Sequence, residues 1–206
     1  MSTTDAGGPA PRRGRPTVLD RGAVATATFR LWTAHGYDAV GWGDIADATG
    51  VSVRTLVRHF SRKSEIAWVG VPAATKRLRE ALRATPDDLP VSDAVRRSVL
   101  ASVSHDPMLA SAGVDWVRVV YAQEEIAGSA GAAYRPWIEE LAGYIAGRVP
   151  EITRATATAI ASGYQAATFA ALVAWSEGGA RGDAVAATDE ALRWLEIPPG
   201  ADPRTG

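Results

Sequence analysis

Residues 29–68 read FRLWTAHGYDAVGWGDIADATGVSVRTLVRHFSRKSEIAW, and they turn the chain sharply more than once within a short span. Asp20 is a good N-cap for a helix running to His35, in which Val24, Ala27, Thr28, Leu31 and Trp32 recur at helical spacing and Gly36 provides the stop. Asp44 to Thr49 makes a short second helix ended by Gly50-Val51, and Ser52 caps a third helix through Phe60. A fourth helix is predicted from Ser61 to about Ala84, closed by Thr85-Pro86. This is the layout of a helix-turn-helix at the front of a larger helical body.

Working outward, residues 1–17 are rich in Gly, Pro and small polar residues and are expected to form a flexible basic arm. Residues 18–64 form the expected head, 65–197 the body and 198–206 a tail. Beyond Pro90 helices are predicted near 91–105, 115–128, 134–149, 152–178 and 183–195, with the Gly-rich 128–131 among the separators. No run shows the two-residue period of a strand, so the fold class is all-α: a three-helix head and a larger C-terminal helical domain. A composition of 47% hydrophobic and 22% charged residues is that of an ordinary globular chain. The absence of Cys excludes disulfides, thiolate metal sites and a Cys nucleophile, and it suits a reducing cytoplasm. The N-terminus lacks the apolar stretch of a secretory signal. Thr156 to Ser176 carries no formal charge and is long enough to span a bilayer, but Ala, Thr, Ser and Gly dominate it, so a buried helix is expected and no membrane partner.

Charge is distributed unevenly. Residues 1–68 hold nine Lys/Arg against six Asp/Glu, a net +3, and the remainder is net −4. A basic front on an acidic back suits a head that approaches nucleic acid. Ile45, Ala46, Val51, Leu56 and Phe60 are spaced to form a small core locking the second and third helices. The outward face of the third helix then carries Ser52, Val53, Arg54, Thr55, Val57, Arg58 and His59, a set able to enter a major groove, where Arg takes guanine bidentately and a Thr methyl meets a thymine methyl. Arg12, Arg13 and Arg15 are placed to reach the backbone or a minor groove, while Lys63 and the N-terminal amides of the fourth helix suit a phosphate. For each basic residue the alternative is a solvated face, and Arg21 and Arg30 are read that way.

Gly50-Val51-Ser52 followed by Thr55-Leu56 and His59-Phe60, with Gly36 to Ala39, Asp44-Ile45-Ala46 and Lys63, closely resembles the DNA-binding domain of the TetR/AcrR family of bacterial regulators. The resemblance runs from Arg13 to about Trp68; beyond it the chain matches the family only in helical layout, length and spacing. A fainter similarity, over Lys63 to Leu89, is to regulators associated with mycofactocin gene clusters. Three positions depart from the family pattern. Val57 stands where Tyr or Phe commonly touches the DNA backbone, Gly41 where Thr or Ser often caps the second helix, and Trp42 where a smaller residue packs. Trp42 is expected to act as a staple against the first helix.

The resemblance implies a homodimeric, cytoplasmic repressor released from a palindromic operator by a small-molecule effector of apolar or acyl type, bound in a cavity of the body. Candidate pocket residues are Trp68, Met108, Trp116, Arg118, Tyr121, Trp137, Tyr164 and Phe169. Core packing is the simpler reading for any one aromatic. Arg118 either receives an anionic group or faces outward, pairing with Asp115 or Glu125. Small residues at near-heptad spacing, with Ile160, Gly163, Ala167, Ala170 and Ala174 in one helix and Leu192 and Leu195 in the next, suggest a dimer interface. A DNA-bound structural or partner-recruiting protein with no small-molecule ligand is the alternative. Enzymatic activity is not expected, since His35, His59 and His105 are scattered and no catalytic constellation, cofactor motif or metal spacing stands out.

Overall fold

The computed structural model describes residues 19–104 and 107–197, with side chains of the sixth helix described from Gly113 onward. Within them the chain forms helices α1 (Arg21–His35), α2 (Trp42–Thr49) and α3 (Val53–His59), a 3-10 helix (Lys63–Trp68), then α4 (Val71–Arg83), α5 (Val91–Val103), α6 (Pro107–Ala122), α7 (Glu124–Arg148), α8 (Arg154–Glu177) and α9 (Ala184–Leu192). No strand occurs among the described residues, and the all-α reading holds. The arm, with Arg12, Arg13 and Arg15, and the tail lie outside the described residues, as does the side chain of Met108.

The head forms from the predicted caps. The Asp20 carboxylate accepts from the Ala23 amide at 2.9 Å, and Gly36, at φ +86°, ends α1 by donating its N–H to the Trp32 carbonyl at 2.8 Å. Gly41 has no side chain with which to cap α2. The Asp44 carboxylate compensates by accepting from the Gly41 amide at 2.7 Å. Gly50 ends α2 in the left-handed region at φ +66°, and Ser52 Oγ accepts from the Thr55 amide to open α3. Ile45, Leu56 and Phe60 are fully buried, with Ala46, Val51 and Trp42 packed against them, which is the expected lock between α2 and α3.

Three helix boundaries differ from expectation, one being that the helix expected near 115–128 runs over Pro107–Ala122. The single fourth helix is in fact two elements, because Pro72 lacks an N–H and its ring would clash with a carbonyl one turn back, so α4 restarts at Val71 with the proline in its first turn. Conversely, Gly128 to Gly131 separates nothing. The break falls at Gln123, and α7 continues through both glycines and Pro136. Ile126, Trp137, Leu141, Ala142 and Ile145 bury one side of α7, and that packing outweighs the roughly 1 kcal/mol each glycine costs a helix.

Buried side chains gather in two clusters. The first unites the head with the body, joining Phe29, Trp32, Ile45, Leu56 and Phe60 to Trp116, Val117, Val120 and Leu172. The second lies within the body, around Leu78, Trp137, Leu141, Ile145, Tyr164 and Leu192. In the body α4 packs on α5 and α7, α7 on α8, and α8 on α9, while α1 meets α6 across the head–body boundary. By length and composition α8 is apolar enough to cross a membrane; it packs against α7 and α9 through Ala157, Ala161, Tyr164, Ala171 and Leu172, but most of its apolar window is not buried, so the expected buried helix is met only on one side.

The 3-10 helix works as a strut between head and body. At its start Lys63 Nζ donates to the carbonyls of Tyr37 (3.1 Å) and Val40 (2.6 Å) and stands 4.6 Å from the Tyr37 ring centroid. At its end Trp68 Nε1 donates to Ser129 Oγ at 2.7 Å, and Trp116 Nε1 donates to the Ala67 carbonyl at 2.9 Å. Burial, followed by the Glu125 carboxylate of α7, holds the Tyr37 phenol well above its ordinary pKa.

Replacing Lys63 with Met removes both carbonyl contacts and is expected to cost about 1–2 kcal/mol, the lower part of the range for charged hydrogen bonds because the group is half-exposed. Urea denaturation of the DNA-free protein measures it. A second expectation concerns alkaline pH. Burial pushes the Tyr164 phenol from 10.0 up to about 12, and its hydroxyl donates to the Leu195 carbonyl at 2.9 Å. A raised folded-state pKa means the contribution is complete below pH 10 and lost as pH climbs from 10 through about 12. Tyr164→Phe should therefore flatten part of the fall in urea midpoint across that window.

Candidate DNA-reading face and body cavity

The exposed side of α3 is built of short-range necessities. Leu56 points into the core, so Val53, Arg54, Val57 and Arg58 face solvent, while Thr55 and His59 are half-buried at the edges. Val53 and Val57 remain 42% and 46% exposed, an unusual outlay of branched apolar surface for a seven-residue helix and one suited to meeting thymine methyls. No acidic residue lies between Val51 and Arg62, so this stretch carries basic charge only. Ser52 Oγ and Thr55 Oγ1 lie 2.9 Å apart and serve the cap of α3. Arg58 Nη2 and His59 Nε2 are 3.5 Å apart, a loose contact that leaves the guanidinium free to turn outward.

Other basic residues are placed differently from expectation. Lys63 is half-buried in its strut contacts, and the Ser61 amide donates to the Glu65 carboxylate at 3.0 Å, so the amides expected to await a phosphate are in part already served. Arg21, read as plain surface, lies with its guanidinium 4.5 Å from the Phe60 ring centroid, joining the start of α1 to the end of α3. The i,i+39 separation hid that contact.

The body holds two adjoining cavities. An inner chamber of about 50 Å³ is walled by Ala67, Gly70 and Val71 at the strut's end, by Ser102 and Val103 of α5, and by Trp116, Trp137, Thr168 and Phe169. An outer groove of about 480 Å³ runs between Trp68, Val120, Tyr121 and Ala130 on one side and Ala166, Phe169, Ala170 and Val173 on the other. Tyr134, Gln165 and Phe169 belong to both walls. Edge-to-face contacts thread the site in series: Phe169 to Trp116 at 6.3 Å, Trp116 to Trp68 at 6.4 Å, Trp68 to Tyr134 at 5.7 Å and Tyr134 to Trp137 at 6.5 Å.

Of the candidate pocket residues, the structure therefore brings together Trp68, Trp116, Tyr121, Trp137 and Phe169. Tyr164 is a correction, since it is 2% exposed in the second core cluster and lines neither cavity. Arg118 is another. It is exposed on α6 and lines neither wall, because Trp116, Val117 and Val120 occupy the inward side of that helix. Gln165 was missed, although its i,i+4 spacing to Phe169 places the two on one face of α8.

The small-residue ridge of α8 is divided. Gly163, Ala170 and Ala174 are exposed, with Ala166 beside them, whereas Ile160, Ala167 and Leu195 are half-buried against the protein's own second core. Leu192 is fully buried there and so is removed from the candidate interface. Trp194, 81% exposed just past α9, is the large apolar side chain the sequence did not single out.

Comparison with known proteins agrees with this arrangement. Residues 25–67 match the family model for bacterial regulatory proteins of the tetR family. A Mycobacterium tuberculosis protein named MftR for the regulation of mycofactocin biosynthesis is 27% identical over 125 residues, covering 61% of this chain and 63% of that protein. The chain thus spans less than two thirds of the length of that curated relative. Among solved structures, the fatty acid degradation regulator FadR of Bacillus halodurans superposes with a TM-score of 0.62 at 14% identity, over 84% of this chain and 96% of that one. FadR of Bacillus subtilis, solved in complex with stearoyl-CoA, gives 0.57 at 16% identity, over 84% and 96%. Residues 25–67 thus carry the head of the tetR family of bacterial regulators, and the described residues share the all-helical fold of these solved regulators.

Proposed function

We propose that the protein is a homodimeric, cytoplasmic transcriptional repressor that binds a palindromic operator and is released from it by a small, largely apolar effector. The observation that carries this reading is the α3 face, where Arg54 and Arg58 stand exposed among apolar residues, with Leu56 and Phe60 locking the helix beneath them. Arg54, Thr55, Arg58 and His59 read base edges, Val53 and Val57 meet thymine methyls, and Ser52, Arg13 and Arg15 serve the phosphates or an adjacent groove. One seven-residue helix reads too few bases to be selective, so a second copy supplies the other half-site, one or more helical turns (about 34–36 Å each) away. Exposed Gly163 of α8, with Trp194 just past α9, marks the self-contact, apart from the groove lined by Ala166 and Ala170.

Release follows from shared parts. Ala67, Gly70 and Val71 wall the inner chamber, and they belong to the strut and its junction with α4. An effector that wedges between them and the facing aromatics favours a different strut position, and with it a different spacing of the two α3 helices. Effector and operator then oppose one another by the same coupling free energy, on the order of 1–3 kcal/mol in such systems. A protein that recruits a partner to DNA without a small molecule would need no chamber abutting the strut, and the chamber favours the first reading.

The purified protein should retain DNA from upstream of its own gene specifically, with retention falling steeply as salt rises. Arg54→Ala and Arg58→Ala should each weaken operator binding by about 1–3 kcal/mol while leaving the helical circular dichroism intact. Binding that is insensitive to both substitutions would sink the assignment of α3. Gly163→Arg on the exposed side of α8, where an added side chain meets no neighbour, should convert the dimer to a monomer in analytical ultracentrifugation and abolish operator retention.

A further inference from the structure

We infer that the effector is an uncharged molecule, with a slim apolar body and one hydrogen-bonding group received by Gln165, and that this chain does not take acyl thioesters of coenzyme A. The inference rests on the reading of the body as an effector site. It departs from the acyl-CoA seen in a protein of the same fold.

The first argument is electrostatic. Among the described residues, neither the inner chamber nor the outer groove has a Lys, Arg or His in its walls, and the one formal charge between them is the carboxylate of Glu177 at the groove's rim. Two basic residues on the elements that wall the site do not face it. Arg118 is exposed on α6 away from both walls, and Arg77 lies behind the inner wall with Nε and Nη2 donating to the Ser102 carbonyl at 3.1 and 2.8 Å. The phosphates of a CoA thioester, or the carboxylate of a free fatty acid, would leave water with no cation to meet and with Glu177 to repel them. A cation fares little better, because Glu177 is exposed and solvated at the outer end and offers nothing inside.

The second argument is the hydrogen-bond inventory. The indole of Trp116 donates to Ala67, that of Trp137 to Ser102 Oγ at 3.3 Å, Ser102 Oγ to the Val99 carbonyl and Thr168 Oγ1 to the Tyr164 carbonyl. Gln165, in the wall common to both cavities, makes no side-chain hydrogen bond among the described residues. Its amide offers two donors and an acceptor where a ligand passes from groove to chamber, which suits a hydroxyl, aldehyde or amide. The third argument is shape. The inner chamber holds only about 50 Å³, so a slim chain fits it more readily than a fused ring system.

The test uses full-length protein and three ten-carbon probes of matched chain: decan-1-ol, decanoate and decanoyl-CoA. Binding is read by tryptophan fluorescence, since Trp116 and Trp137 line the chamber, and by the thermal midpoint. Decan-1-ol should bind at least about tenfold more tightly than decanoate, with no saturable response to decanoyl-CoA. Gln165→Leu should weaken decan-1-ol about fivefold, the effect of one lost hydrogen bond. Glu177→Lys, which replaces the exposed carboxylate of the rim with a cation, should create a response to decanoyl-CoA. Decanoate or decanoyl-CoA binding as tightly as the alcohol overturns the inference, and so does an unaltered alcohol affinity in Gln165→Leu. A complete lack of response to all three also overturns it, as when a second copy of the chain fills the groove. Operator retention measured without any probe reports separately on the regulator reading.

Discussion

A lysine ammonium held between two backbone carbonyls joins the two halves of this protein. Lys63 reaches Tyr37 and Val40, which close the turn between α1 and α2, and so fixes where the strut leaves the head. Six residues of 3-10 helix have poor internal hydrogen bonding and little persistence of their own. They hold their path because Ser64, Ile66, Ala67 and Trp68 are buried and because two indoles secure the far end. Pro72 then forbids the strut from merging into α4 as one stiff rod. Head and body are thereby connected by a short element whose position is set by contacts on both sides, a better part for transmission than either a rigid helix or a loose loop.

The cavity is placed where those contacts are. Trp116 and Ala67 both anchor the strut and line the inner chamber, and Trp68 both anchors it and lines the groove. The aromatic series from Phe169 to Trp137 makes each ring's position depend on its neighbours.

The head was legible in the sequence because its signals are local. Asp20, Gly36, Gly50 and Ser52 act within a turn or so of where they sit, and the spacing of Ile45, Leu56 and Phe60 leaves one way to pack two short helices. The body is written in residues whose burial cannot be told from their identity. Alanine and glycine at Gly163, Ala167 and Ala171 suit a core, an interface or open solvent equally, and the fold puts them in different settings. Leu192 looked available to a partner and is consumed by the chain's own core, while Gly128 and Gly131 looked like breaks and are overruled by the tertiary packing of α7. Arg118 had a period that allowed either side of α6, and only its neighbours' burial decided the matter. Lys63 misled in another way. A lysine opening a helix near a DNA-facing element invites a phosphate, and nothing nearby in sequence announces the two carbonyls more than twenty residues upstream.

The first core cluster has a consequence for how such a protein can be recombined. Phe29, Ile45 and Leu56 from the front of the chain share one continuous apolar interior with Trp116, Val120 and Leu172 from the back. A chimera that transplants residues up to the strut onto another sensor body would cut through that interior and leave both cut faces bare. Exchanging specificity between such proteins therefore calls for substituting the solvent-facing side chains of α3 in place. The head is an address label printed on the molecule, not one that can be peeled off.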